Sequence, residues 1–472
     1  MEYKAQDKTT QKDRINQKRK ADFDLTPLYA PRTTQSEDQL ALPAPAKRTR
    51  RDCPYLGQIK RHLLDFDLEK NCMVTLSSLN TYACLTCGKY LQGKGQSTQA
   101  YIHSLEESHH MYIQLSPACS IWCLPDNYEV EDASLNDIKY NLRPIFTKEM
   151  VERLDSEALF ARALDGSEFY PGCIGLNNLK KTDFVNVVIQ SLSQVKPFRD
   201  FCLFYRVSTD VIADPSQQIV VRFAELVKKM WNPKNFKGHV SPHELLLAIA
   251  NASDKKFKIG EQKDPIQLLA WLFTAFKSGL KKGEANVNES SFQGELEITS
   301  QDKVQPTKFF YLSLDLPNIP LFKEQHLLAT IQQIPLMDLM SKFDGTEYDL
   351  QGVKKCFKIK KLPNYLIIHI KRFTKNEFFN EKNPTIVNFP IKNLDLSDLI
   401  ETKEGENYKY DLIANIIHEG KVEEGTYRVQ VRNQATDEWF DIQDLHVNSI
   451  MPQQVTVSES YILLFERQKQ AV

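Results

Sequence analysis

The segment "YACLTCGKY" carries Cys84-x-x-Cys87, and "YIHSLEESHH" follows with His103-x5-His109. Two thiolates and two imidazoles in one short stretch form a donor set suited to tetrahedral zinc, which prefers sulfur and nitrogen ligands and gains folding free energy when the site closes. Four protein ligands leave no position open for water, so the expected ion is a single structural zinc. His110 stands beside His109 as an alternative fourth ligand. Cys53, Cys72, Cys119 and Cys123 have no further CxxC or histidine partner nearby, and they read as core cysteines.

A second stretch, "GLNNLKKTDFVNVVIQSL" from Gly175 to Leu192, is a turn-rich approach to a helix that begins near Asp183. The exposed amides and dipole of a helix start stabilise negative charge, so this is a place where a nucleophile can be sharpened. A carboxylate there gains only about 0.3 to 1 kcal/mol as a helix-start residue.

The elements that must position these groups follow from composition and periodicity. The chain has 472 residues, a net charge of −1 and 42% hydrophobic residues, enough for two or three domains with sizeable cores. No apolar run approaches the roughly 18 to 20 residues of a membrane span. The first residues lack a signal peptide's apolar stretch, so a cytosolic or nuclear setting without a membrane partner is expected. Nine cysteines, an odd number with four between Cys72 and Cys119, read as reduced thiols and a metal site rather than a disulfide framework.

Residues 1–52 have the composition of a disordered basic tail, with "KRK" at Lys18–Lys20 and "KRTRR" at Lys47–Arg51 as candidate import signals or phosphate contacts, small nuclear RNA included. Residues 53–130 form a small metal-stapled domain, and residues 131–169 a connector with helical spacing around Met150–Leu164. Beyond, in 170–467, helical patterns come first: "FVNVVIQSL", "VVRFAELVKKMW", "SPHELLLAIANA" and "PIQLLAWLFTAF". Strand patterns follow in "FFYLSLDL", "YLIIHIKRF", "TIVNFPI", "YDLIANIIH", "TYRVQVRN" and "SYILLFERQ". Helices then strands predict an α+β domain.

Two stretches carry a family resemblance. "GLNNLKKTDF" resembles the cysteine box of the ubiquitin-specific proteases, and "YDLIANIIHEGKVEEGTYRVQVRNQATDEWFDIQDLHV" their histidine box, with "FYLSLDLP" and "LPNYLIIHIKRF" similar to blocks between them. The resemblance implies a papain-like fold of thumb, palm and fingers. The metal segment resembles the zinc finger that often precedes this fold. Its usual CxxC and HxxxxxH site falls on Cys84, Cys87, His103 and His109. Further sites would fall on Cys72, Thr75, Gln92 and Gln99, and on Cys53, Tyr55, Cys123 and Asp126, both incomplete. Trp122 matches an aromatic of the family's ubiquitin-tail pocket, while the pocket's arginine corresponds to Lys94, which counts against binding of a free ubiquitin tail. Between Phe292 and Cys356 the CxxC pairs often found in the fingers are missing, so no second zinc is expected there.

In the family a cysteine attacks the isopeptide carbonyl, a histidine takes its proton and an acidic residue or Asn orients the histidine. Here those positions read Asp183, Thr426 and Gln443, with Asn178 retained at the oxyanion position. A carboxylate attacking an amide would form an anhydride that mostly reverts, and threonine does not titrate near neutral pH. "CPYLGQIK", "WCLPDNYEV", "WNPKNFKGHVSPHELL" and "KNPTIVNFPI" extend the resemblance to the inactive, spliceosome-associated branch of the family. That branch implies a nuclear, non-catalytic scaffold that supports tri-snRNP assembly through tri-snRNP proteins. The alternatives are a ubiquitin-binding reader and an atypical deubiquitinase using Cys173 with His418 or His446.

Overall fold

The computed structural model describes residues 49–116, 118–206, 214–280, 286–300, 303–317, 331–350, 353–375, 380–402, 405–422 and 424–469. The basic cluster at Lys18–Lys20 lies outside the described residues. No described helix is long and apolar enough to cross a membrane.

The metal-bearing domain is a six-stranded sheet in the order Thr49–Arg50, Tyr128–Val130, Ile121–Cys123, Met111–Gln114, Thr81–Cys84 and Tyr90–Gln92. Its first strand corrects the expected boundary. Thr49 and Arg50, counted with the tail, pair in parallel with Glu129 and Val130, and the Arg50 guanidinium lies 4.8 Å from the Tyr128 ring centroid. An apolar set that includes Ala83, Met111, Ile113, Ile121 and Val130 packs one core. Strands this short bury little area, so the domain needs further cross-linking.

The connector is less helical than its spacing predicts. Helix α1 (Gln99–Glu106) belongs to the metal domain, and α2 (Asn136–Leu142) and α3 (Lys148–Arg153) form the connector. The pattern expected to run to Leu164 stops at Arg153, and Ala161–Arg162 pairs instead with Glu168–Phe169. Just beyond α3, Asp155 accepts hydrogen bonds from Arg199 at 2.6 Å and lies 2.5 Å from the Lys196 ammonium. These tertiary ion pairs override the local helical preference.

The large domain begins with α4 (Asp183–Ser193), α5 (Lys196–Phe204), α6 (Pro215–Met230), α7 (His243–Ala252) and α8 (Pro265–Gly279). Asp214 and Asp264 start α6 and α8 by accepting hydrogen bonds from Ser216 N and Ile266 N, each with proline in the first turn. The helices pack on an eight-stranded sheet whose order is Leu312–Asp315, Tyr365–Lys371, Ser460–Arg467, Lys409–Glu419, Thr426–Arg432, Trp439–Gln443 and His446–Ile450, with Leu394–Asp395 on the Lys409 strand. Side chains alternate between its faces. Ile367, Ile462 and Leu464 meet the helices beside Phe198, Phe223 and Phe276, whereas Leu366, Ile368, Leu463 and Phe465 build a second core behind the sheet. A register shift between Leu412 and Ala414 places both Ile413 and Ala414 on the helical side. A separate four-stranded sheet joins Lys303–Phe309, Gly294–Ser300, Val353–Lys361 and Asp344–Leu350.

The metal domain is seated on the large domain by polar contacts. Lys229 Nζ donates to Phe66 O at 2.7 Å and Asp67 Oδ1 at 2.8 Å. Lys237 pairs with Asp65 at 2.7 Å, and the other Asp67 oxygen accepts from Ser241 N at 2.9 Å. In the connector, Asn141 Nδ2 donates to Lys234 O at 2.6 Å.

Candidate metal centre and helix-start cleft

Cys84 ends its strand at full burial, Cys87 follows in the turn, His103 lies on α1 and His109 lies just past it. One donor atom from each lies within 4.8 Å of all the others. Cys87 Sγ is 3.4 Å from His103 Nε2, which in turn is 3.1 Å from His109 Nδ1. Contacts this close between soft donors fit a cation that takes their lone pairs. The Cys84 side chain, ahead of the Lys89 amide and the two imidazoles, lowers the Cys87 thiol, while the same pairing together with burial raises that of Cys84. His110 points elsewhere: its Nδ1 lies 2.8 Å from Leu124 O and its ring packs 4.0 Å from that of Tyr55.

The two incomplete ligand sets are filled by other interactions. Cys72 Sγ accepts from Thr75 N at 3.4 Å, and Thr75 Oγ1 donates to Gln92 Oε1 at 2.8 Å. Gln92 Nε2 reaches Ser77 Oγ at 3.2 Å. Hydrogen bonds thus join positions that a metal would otherwise bridge. Cys53 lies 3.6 Å from Met111 Sδ and accepts from the Tyr128 hydroxyl at 3.1 Å. Cys53, Cys119 and Cys123 all belong to the apolar core.

At the second site, Asp183 opens α4 and is 3% exposed. Its Oδ2 accepts from Tyr427 N at 2.7 Å and from Gln262 Nε2 at 2.7 Å. Gln262 also donates to Gly425 O at 3.0 Å, so one amide ties the helix start to the loop before the Thr426 strand. Gln443 Nε2 is 3.4 Å from Thr426 Oγ1. The three sequence-predicted positions therefore converge on one place. Gly425 is required there, since a Cβ would come within 2.2 Å of His418 Nε2.

Asn178 is engaged: its amide donates to Asp444 Oδ2 at 2.9 Å, and its oxygen accepts from Thr182 N at 3.0 Å. The other Asp444 oxygen accepts from Asn186 at 3.0 Å. Asp444 also holds the approach to α4, because Leu176 N donates to its carbonyl at 2.9 Å. Gly175 passes so close that a Cβ would be 2.9 Å from Leu445 Cα. Burial first, with Asp444 adding repulsion, raises the Asp183 carboxyl above its ordinary value. Two neighbouring carboxylates disfavour a further oxyanion, the reverse of what acyl transfer needs.

Gln262, Gly425 and Asp444 were missed by sequence reasoning. Asp444 adjoins Gln443 in "WFDIQD", the one local signal available, while Gln262 lies far from either box and becomes a neighbour only through the fold. The alternative residues are placed against reactivity. Cys173 is 3% exposed in the helical core, and burial, with Glu438, pushes its thiol up to about 12. His418 is buried between the rings of Phe373 and Tyr427, and burial, with Lys382, lowers it to about 4. His446 is exposed on the last hairpin, opposite Gln443.

Comparison with known proteins places this geometry. Residues 174–465 match the ubiquitin carboxyl-terminal hydrolase family, and residues 71–135 match a zinc finger of ubiquitin hydrolases and other proteins. The chain is 44% identical over 456 residues to ubiquitin carboxyl-terminal hydrolase 39 of Mus musculus, covering 89% of this chain and 81% of that one. It is 40% identical over 448 residues to the probable mRNA-splicing protein ubp10 of Schizosaccharomyces pombe, covering 88% of each. A crystal structure described as an essential yeast splicing factor superimposes with a TM-score of 0.76 at 28% identity, over 88% of this chain and 100% of that one. The ubiquitin-bound SAGA deubiquitinating module shares the fold at 18% identity with a TM-score of 0.52, over 87% of this chain and 92% of that one. From the helix-start box through the last strand of the sheet, and with a zinc-finger domain ahead of it, the chain belongs to the ubiquitin carboxyl-terminal hydrolase family.

Proposed function

We propose that this protein is a non-catalytic scaffold of pre-mRNA splicing that acts in the nucleus and supports assembly or stability of the spliceosomal tri-snRNP through contacts with tri-snRNP proteins. The observation that carries the non-catalytic half is the bridge from Asp183 through Gln262 to Gly425, which fills the nucleophile position with a hydrogen-bonded carboxylate. The splicing half rests on relatives named for splicing that match most of this chain. Cys84, Cys87, His103 and His109 hold one zinc ion, whose role is to close the small domain.

A ubiquitin-reading role is disfavoured by the Lys94 ammonium, which lies 2.7 Å from the ring centroid of Trp122, the residue that resembles an aromatic of the family's ubiquitin-tail pocket. Splicing extract depleted of the protein is the decisive system. Add-back of the full chain is expected to restore tri-snRNP, read as co-sedimentation of its small nuclear RNAs, while a ubiquitin probe with a C-terminal electrophile labels no cysteine. Labelling of any thiol overturns the non-catalytic reading, and sedimentation indifferent to depletion overturns the scaffold.

A further inference from the structure

A cavity of about 720 Å³ opens at the seam between the zinc-finger domain and the large domain. Lys70, Ala118 and Cys119 reach it from the finger, Asn136 to Phe146 from α2 and the turn after it, and Leu203 to Arg206 with Glu225 to Lys229 from the ends of α5 and α6. Neither domain alone could build it. Its volume falls within the usual range of ligand clefts, about 300 to 1,000 Å³.

Its lining combines two chemistries. Leu142, Ile145, Leu203 and Phe204 supply apolar walls, and Ile145 at 71% and Phe204 at 42% exposure are large apolar side chains left open to solvent. Around them stand six cations, Lys70, Lys139, Arg143, Arg206, Lys228 and Lys229, against the single carboxylate of Glu225. That carboxylate is already engaged by Arg222 at 2.6 Å. Lys229 is committed to Asp67, and Lys70 lies 3.6 Å from Glu244. Lys139, Arg143 and Arg206 make no ion pair among the described residues, where the cavity lining carries six cations and one carboxylate. Lys228 donates to Tyr205 O at 2.5 Å. Burial lowers its ammonium below the ordinary value, and Arg143 and Arg206 add same-sign repulsion while Glu225 acts the other way. An incoming anion would relieve that crowding.

We propose that this seam cavity docks an acidic peptide segment of a partner protein, with one large apolar side chain entering between Ile145 and Phe204 and flanking carboxylates meeting Lys139, Arg143 and Arg206. The rings of Tyr140, Phe146, Phe204 and Tyr205 also line the cleft, and a peptide is favoured over RNA because its side chains can fill a concave apolar pocket, whereas an RNA backbone offers no apolar side chain. The anchor would touch the connector through Ile145 and the large domain through Phe204. This docking is independent of the assembly to which the partner belongs.

The test uses the full zinc-loaded chain and short fluorescent peptides rich in Asp and Glu, with Phe, Leu or Ala at the centre, titrated by anisotropy. The Phe and Leu peptides are expected to bind at least about tenfold more tightly than the Ala peptide. The pair Lys139→Glu with Arg143→Glu is expected to weaken binding by about tenfold or more and to flatten its salt dependence. Ile145→Glu, at a position too exposed to threaten folding, should abolish the preference for Phe. Absence of binding by every peptide, equal binding of the Phe and Ala peptides, or indifference to the charge reversal overturns the proposal. An oligouridylate that binds through Arg143 while ignoring Ile145→Glu overturns it in favour of RNA.

Discussion

The zinc-finger quartet and the helix-start cleft have had opposite fates. All four donors of the quartet are in place within 4.8 Å of one another, whereas in the cleft Asp183, Thr426 and Gln443, which stand at the triad positions on the reading proposed above, meet without a thiol or an imidazole among the three. The difference is energetic. A metal ligand in a small domain holds the fold, so removing one unfolds the domain. A catalytic side chain stabilises a transition state and contributes little to folding, so its position is free to take any residue that satisfies the backbone around it. Asp183 does this by accepting from Tyr427 N and Gln262. Within the finger, Thr75 and Gln92, which belong to an incomplete ligand set, are likewise joined by a hydrogen bond of 2.8 Å.

The comparison breaks if the quartet proves dispensable. Cys84→Ser is expected to have the largest effect: zinc is lost, along with a metal-binding free energy on the order of 10 kcal/mol that supports the finger. Elemental analysis should show the metal gone, and limited proteolysis should cut within residues 53–130. A finger that stays protected without metal would remove the energetic contrast.

Next in size is Lys229→Met at the seam. The ammonium is nearly buried and holds both Phe66 O and Asp67, and leaving that carboxylate without its cation costs about 3 kcal/mol or more. Thermal denaturation should separate one transition into two as the domains uncouple.

Gln262→Ala sharpens the other side. It removes the donor shared by Asp183 and Gly425 and should cost about 1 to 2 kcal/mol in urea denaturation. Reactivity towards a ubiquitin electrophile should remain absent, since opening the bridge supplies no nucleophile. Labelling of this variant would mean that Gln262 masks a working site.

The smallest effect belongs to Asp183→Asn. The folded-state carboxyl is raised above 3.8, so its contribution to stability is complete at low pH and is lost as pH rises through the folded value. Asparagine keeps the acceptor without the charge. The variant should therefore melt no lower than the wild type at neutral pH, with any advantage shrinking as pH falls towards the ordinary carboxylate range. A variant that is less stable at neutral pH and equal in acid would show that the ionised form is favoured instead.

Much of the fold is legible in periodicity. "VVRFAELVKKMW" fills α6 up to its C-cap Trp231 and "PIQLLAWLFTAF" lies within α8, and "YLIIHIKRF" and "SYILLFERQ" become adjacent central strands, because buried faces repeat with the spacing of their elements. The connector misled where Asp155 binds Arg199 and Lys196 across the chain. The four-stranded sheet around Val353–Lys361 went unread because it is rich in lysine, with the apolar alternation that marks a strand largely missing.

By itself the sequence determined the chemistry available: which donors exist for a cation, that Asp183, Thr426 and Gln443 bring neither a thiol nor an imidazole, and which segments bury a face. Those properties reside in residue identity and short-range spacing. Only the tertiary structure decided that His110 turns to Leu124 O while His109 joins the quartet, that Asn178 is bound by Asp444, and that Gln262 closes the cleft. Each of these depends on a partner distant in sequence, and hydrogen-bond geometry across such distances exists only once the cores have packed.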